Sequence, residues 1–199
     1  MKKTNENLII ETWFPTTIGI AECPFINKIK NEYLDIIIKF KYDLNGFCSH
    51  YLHKDERFFK LNNWIIEKVN EYAFFHKYKF KYEIKNSWLL DYPVGSGQEL
   101  HAHPGSTISA VFYLEAREDD SPILFKNPLP VDAKNPHNLG PHDYNKENKN
   151  NFNDLTYPSC LYPPLSGRLI IFRSYLFHSV ESKKTKDKRI AFSYSFDPI

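Results

Sequence analysis

Between Ile26 and Phe40 the apolar residues Ile26, Ile29, Tyr33, Ile36, Ile37 and Phe40 recur at three- and four-residue steps. That spacing lays one apolar stripe along an α-helix, and Pro24 stands where a helix start tolerates it. A second helix is expected from about Lys54 to His76, with Leu61, Trp64, Ile65, Val69, Tyr72 and Phe75 on one side. The period then changes. Ser87–Tyr92, Thr107–Glu115, Pro122–Phe125, Arg168–Phe172 and Arg189–Phe196 read as strands, short and bounded by turn residues. In the last of these, Arg189, Ala191, Ser193 and Ser195 share one face, while Ile190, Phe192, Tyr194 and Phe196 form an apolar face that belongs in the core. Helices first and strands afterwards imply an α+β chain whose mainly antiparallel strands form a sheet or barrel.

The expected organisation is one domain over residues 1–199: a mainly helical part, 1–80, and a strand-rich part, 81–199, interrupted by a long insertion, 126–164. That insertion is dense in Asn, Pro, Asp and His, and a connection this long is expected to be either a functional lid or a mobile insertion. Its His137 and His142 are read as solvated loop residues, His50, His53 and His76 as structural or surface ones.

Composition narrows the function classes. A net charge of +2 gives no general pull toward nucleic acid, and the aromatic-and-lysine stretch Tyr72–Tyr82 is explained by a helix end leading into an edge strand. The basic run Lys183–Lys188 reads as a solvated turn. Three widely spaced cysteines, Cys23, Cys48 and Cys160, suggest a reducing compartment. With neither a signal peptide nor a long apolar run, the expectation is a cytoplasmic protein that does not enter a membrane. The oligomeric state stays open, a homodimer included.

The chemistry concentrates in Gln98-Glu99-Leu100-His101-Ala102-His103-Pro104-Gly105-Ser106. Histidines at i and i+2 of an extended segment point the same way and can meet one metal ion as neutral imidazoles. Gly95 and the His-Ala-His step fit the opening of a cupin motif. The acidic residue that motif wants next is missing, and a full strand separates Pro164-Leu165-Ser166-Gly167 from His178. A strand over 168–172 leading to a third histidine, His178, and eleven residues later to Arg189, makes a better-ordered set. An arginine at the lip of a barrel that holds three histidines suits a carboxylate ligand.

This ordered set, Trp88, His101-x-His103-Pro104-Gly105-Ser106, Ser109–Leu114, Pro164-x-x-Gly167, Phe172, His178 and Arg189–Ser193, resembles the 2-oxoglutarate- and Fe(II)-dependent oxygenases, in particular a subgroup of short bacterial and phage chains. The likeness runs from about Trp88 to the C-terminus, with weaker agreement at Trp13-Phe14-Pro15. It implies a double-stranded β-helix, a jelly-roll barrel, with the N-terminal helices packed outside. It further implies that His101, His103 and His178 bind Fe(II), His103 standing where most of the superfamily has Asp or Glu, with Glu99 the second choice. Arg189 would grip the distal carboxylate of the cosubstrate 2-oxoglutarate, with Ser193 and Tyr92 as companions. Hydroxylation of a small-molecule or peptide substrate, releasing succinate and carbon dioxide, is the implied reaction. Two rivals stand beside it: a three-histidine dioxygenase or cupin-like protein that uses no 2-oxoglutarate, and a non-enzymatic jelly-roll interaction module, suggested by the missing acidic ligand and by Ala191.

Overall fold

In a computed structural model, described here for residues 15–49, 51–128 and 158–199, the strands pair as a nested ribbon. The strands are β1 (Ile18–Glu22), β2 (Phe47–Cys48), β3 (Tyr82–Asp91), β4 (Gln98–His101), β5 (Ile108–Glu115), β6 (Ile123–Lys126), β7 (Ser159–Tyr162), β8 (Arg168–Arg173), β9 (His178–Val180) and β10 (Ile190–Pro198). β6 pairs with β7, β5 with β8, β4 with β9 and β3 with β10, all antiparallel. Successive pairs fall alternately in a four-stranded sheet, β4-β9-β6-β7, and a six-stranded one, β1-β8-β5-β10-β3-β2. One long antiparallel ribbon is thus coiled into two facing sheets, the double-stranded β-helix.

The larger sheet is covered on both faces, which explains its composition. Toward the helices it presents Ile108, Ala110, Phe112 and Leu114 from β5 and Ile190, Phe192, Tyr194 and Phe196 from β10. Toward the barrel interior it presents Val111, Tyr113, Ile170, Phe172 and Ala191, which meet Ile123 and Phe125 of the smaller sheet. Strands buried on both sides read as continuous apolar runs rather than as alternation, hence the sequence Ile-Ser-Ala-Val-Phe-Tyr-Leu of β5. Full burial of each large apolar side chain contributes about 1.5–3 kcal/mol.

Helix α1 (Ile26–Ile37) buries Ile29, Tyr33 and Ile37 at steps of four. Helix α2 (Phe59–Phe75) buries Leu61, Trp64, Ile65, Val69, Tyr72 and Ala73. It begins later than the sequence implied. Residues 52–58 form two short 3₁₀ turns instead, the second opened by the Asp55 carboxylate accepting the Arg57 N–H at 3.1 Å. Phe75 is also not on the buried side: it is 71% exposed. His76 takes its place, donating from Nδ1 to the Tyr72 carbonyl at 2.8 Å and meeting Thr17 Oγ1 at 2.7 Å through Nε2. His53 is structural too, held to Ser87 Oγ at 2.8 Å. Among the described residues no helix is long and apolar enough to cross a membrane.

Five strands escaped the sequence reading: β1, β2, β4, β7 and β9. All are short, and all but β9, which lies inside the smaller sheet, are edge strands. β7 falls within the expected 126–164 insertion, so the end of that segment is a sheet strand paired with β6 and not loop. His50, His137 and His142 lie outside the described residues, as do Trp13 and Phe14.

Candidate metal and cosubstrate site

His101 closes β4 and His178 opens β9, and the two are direct cross-strand partners. Their rings sit 4.2 Å apart, centre to centre. His103 lies two residues beyond β4, where its backbone N–H donates to the Ser174 carbonyl at 2.8 Å. Its ring packs 5.7 Å from Trp88 and its Nε2 is 3.2 Å from His178 Nε2. One ligand nitrogen from each of the three histidines falls within 4.8 Å of the others.

The tautomers are set from outside the cluster. His101 Nδ1 donates to the Glu99 carbonyl at 2.8 Å, and His178 Nδ1 donates to the Leu176 carbonyl at 2.9 Å. Each bond leaves the Nε2 lone pair facing the cluster, the usual outer support of a metal-binding imidazole. Burial, reinforced by the neighbouring imidazoles, holds His103 down at about 4 and His178 at about 3. Both are neutral at physiological pH, as a ligand must be.

Glu99 stays outside this group. The reason is a bulge: Gln98 faces Val180 and His101 faces His178, so β4 spends one more residue than β9 between the two pairs. An extra residue shifts the alternation. Gln98 therefore lines the cavity together with His101, while Glu99 is exposed. Regular spacing had pointed Glu99 inward.

Arg189 immediately precedes β10, and the neighbouring Ile190 pairs with Asp91 at the end of β3. It does not sit at a lip; it is 1% exposed. Its guanidinium lies 5.5 Å from the Tyr92 ring and 5.2 Å from the Tyr113 ring. Among the described residues Nε and Nη1 have no hydrogen-bond partner, and neither does the Tyr113 hydroxyl. Tyr92 donates weakly to Gln98 Oε1 at 3.4 Å, and burial pushes its phenol up to about 12. Ser193, half-buried, lines the same cavity as the histidines and Arg189. Tyr113 was missed from sequence, although alternation along β5 puts Ser109, Val111 and Tyr113 on one face and could have found it.

The cavity that joins these groups is narrow, about 60 Å³, against roughly 300–1,000 Å³ for ordinary ligand pockets. Chemically it offers three converging imidazole nitrogens at one end and, at the other, a buried cation unsatisfied among the described residues.

Residues 86–197, more than half of the chain, match the family model described as "Putative 2OG-Fe(II) oxygenase". The chain belongs to this 2OG-Fe(II) oxygenase family. Fe(II) and 2-oxoglutarate are accordingly its cofactor and cosubstrate. No curated protein sequence matches it significantly. Among solved structures, the oxygenase is similar to a 2OG-Fe(II) oxygenase family oxidoreductase from Burkholderia pseudomallei, at 10% identity over 90% of this chain and 84% of the other, TM-score 0.61. It is also similar to a Pseudomonas putida prolyl-4-hydroxylase, at 11% identity over 92% and 94%, TM-score 0.60. A third is HygX from Streptomyces hygroscopicus, bound to nickel, 2-oxoglutarate and hygromycin B, at 12% identity over 92% and 83%, TM-score 0.57. At these identities the likeness is one of fold.

Proposed function

We propose that the oxygenase hydroxylates a C–H bond of a small-molecule or peptide substrate, with His101, His103 and His178 holding Fe(II) and Arg189 holding the distal carboxylate of 2-oxoglutarate. The observation that carries this reading is the buried guanidinium, unsatisfied at Nε and Nη1 among the described residues, in one cavity with three converging imidazoles. An isolated buried cation is costly unless something pairs with it, and a carboxylate accepts two parallel bonds from a guanidinium.

The residues fit both groups. When bound, iron and 2-oxoglutarate supply the oxidation: dioxygen is consumed, the substrate C–H becomes C–OH, and succinate and carbon dioxide leave. The chain's own part is to bind, orient and keep dry. Nδ1 bonds to the Glu99 and Leu176 carbonyls orient two of the imidazoles. Trp88 and the Ser174 carbonyl fix His103. Tyr92 and Tyr113 sandwich Arg189 and exclude water from it. Because the cavity is narrow, side chains such as Tyr92 and Gln98 must shift for a dicarboxylate to seat. Three histidines bring no negative charge to a divalent ion, so the cosubstrate carboxylate not held by Arg189 would supply the first negative charge there.

The test is anaerobic. Fe(II) followed by 2-oxoglutarate should produce a visible metal-to-ligand charge-transfer band in the parent, absent in His178→Ala. Iron binding with no band on adding 2-oxoglutarate would overturn the cosubstrate role of Arg189. No iron binding at all would leave a non-enzymatic barrel.

A further inference from the structure

The loop between β9 and β10 is not simply a solvated turn. Its acidic residues are taken up by other cations: Glu181 pairs with Lys184 at 3.7 Å, and Asp187 with Arg117 at 3.1 Å. Lys183, Lys186 and Lys188 make no ion pair among the described residues. Lys183 is 5% exposed, pinned by backbone bonds to Gly95 and Ser96 at 2.9 and 2.8 Å. These three lysines line a cavity of about 330 Å³ whose other walls include Asp91 and Tyr92. Three cations face one half-buried carboxylate, so the walls carry a formal excess of two positive charges.

Tyr92 lines this cavity and also the narrow one that holds the histidines and Arg189. The two spaces are therefore neighbours that share Tyr92 as a wall residue. The inner space is closed down to about 60 Å³ while the outer one is several times larger. A dianion matches the excess charge of the outer walls.

We propose that the cavity lined by Lys183, Lys186 and Lys188 is a second anion site, an outer station for small dicarboxylates such as 2-oxoglutarate and succinate, sharing Tyr92 with the cavity that holds Arg189. The station itself follows from the lysines; its link to cosubstrate uptake rests on the assignment of Arg189 made above. Like-signed walls concentrate a counter-ion and raise its association rate, an effect that salt screens. Asp91 opposes the anion and favours a ligand whose carboxylates reach past it to the lysines.

Two measurements test it. First, ¹³C-labelled succinate is titrated by NMR into the 199-residue Arg189→Met chain without added metal. Saturable binding should persist there and vanish when Lys183→Met, Lys186→Gln and Lys188→Gln are added. Lys183→Met keeps the buried stem filled; Lys186 and Lys188 are exposed, so the Gln pair alone serves if the triple change unfolds. No succinate binding to Arg189→Met, or binding indifferent to the lysine changes, would overturn the station. Binding of inorganic phosphate but not succinate would overturn its carboxylate chemistry. Second, stopped-flow association of 2-oxoglutarate with the Fe(II)-loaded parent and the Lys186→Gln/Lys188→Gln variant should differ by about tenfold at low salt and converge near 1 M salt. Equal rates at low salt would overturn the uptake role. Failure of the Arg189 assignment would show separately, as a missing charge-transfer band in the parent while succinate still binds the lysines.

Discussion

Arg189→Met separates cosubstrate binding from stability because it moves them in opposite directions. In the parent, a guanidinium that is 1% exposed lacks partners at Nε and Nη1 among the described residues. The two ring contacts, at 5.5 and 5.2 Å, recover about 1–2 kcal/mol apiece, less than the several kcal/mol lost by desolvating an ion. Replacement by a similarly shaped apolar side chain should stabilise the cosubstrate-free protein by about 1–3 kcal/mol. For a chain of this length that is a rise in Tm of roughly 2–12 °C at 2–4 °C per kcal/mol. Binding goes the other way. Removing one partner of a buried charge pair costs about 2–5 kcal/mol, or roughly 30- to 4,000-fold in the Kd for 2-oxoglutarate. The assays are thermal unfolding without cosubstrate and anaerobic titration of the Fe(II)-loaded protein by its charge-transfer band. A variant that melts well below the parent, yet binds 2-oxoglutarate within a few-fold of it, would refute the reasoning: Arg189 would then be a structural cation with a partner.

His103→Ala should weaken Fe(II) by more than the 10–100-fold typical of changes to outer support and leave the melting temperature of the metal-free protein nearly unchanged; parent-like iron affinity would remove His103 from the ligand set. The metal-free parent should lose stability on acidification. His103 and His178 sit at about 4 and 3 when folded against about 6.5 unfolded, so between those values the unfolded chain binds more protons. Their contribution is complete above about pH 6.5 and shrinks as pH falls toward the folded values; a urea midpoint series on the parent and a His103→Gln/His178→Gln variant should diverge from neutral pH to pH 5, and parallel curves would contradict it. Gly46→Ala should be severe. Gly46 has φ 78°, and an added Cβ would lie 1.9 Å from the Asp91 carbonyl oxygen, so the strain of about 1–3 kcal/mol for that backbone adds to a backbone clash at the strand end that carries Tyr92. Parent-like unfolding and parent-like 2-oxoglutarate affinity would show that this close approach is dispensable.

How much of this was legible depended on local pattern. The face assignment along β10 was readable because apolar and small polar residues alternate there without interruption, and the structure puts Phe192 and Phe196 against the helices and Ala191 in the barrel. β4 was not readable. Four residues with burial falling across exposed and half-buried classes carry no period, and its bulge moves Glu99 out and Gln98 in, a shift that no spacing rule anticipates. Lys183 failed for a related reason. A run of lysines reads as solvated by composition, but the backbone bonds between 183 and 95–96 draw one of them under the loop. Arg189 shows the converse. Sequence supplied its order behind the histidines, and only the packing of Tyr92 and Tyr113 turned a surface expectation into a buried, unsatisfied cation. Local period therefore located the walls of the site, while its chemical poise depends on departures from that period. Deletion of Leu100 would remove the bulge and leave Gln98 and His101 two residues apart on one face, so His101 should stay opposite His178 and iron binding should persist with the barrel folded. Loss of iron binding in that folded deletion would mean that the bulge, rather than the His101–His178 pairing, sets the ring's direction.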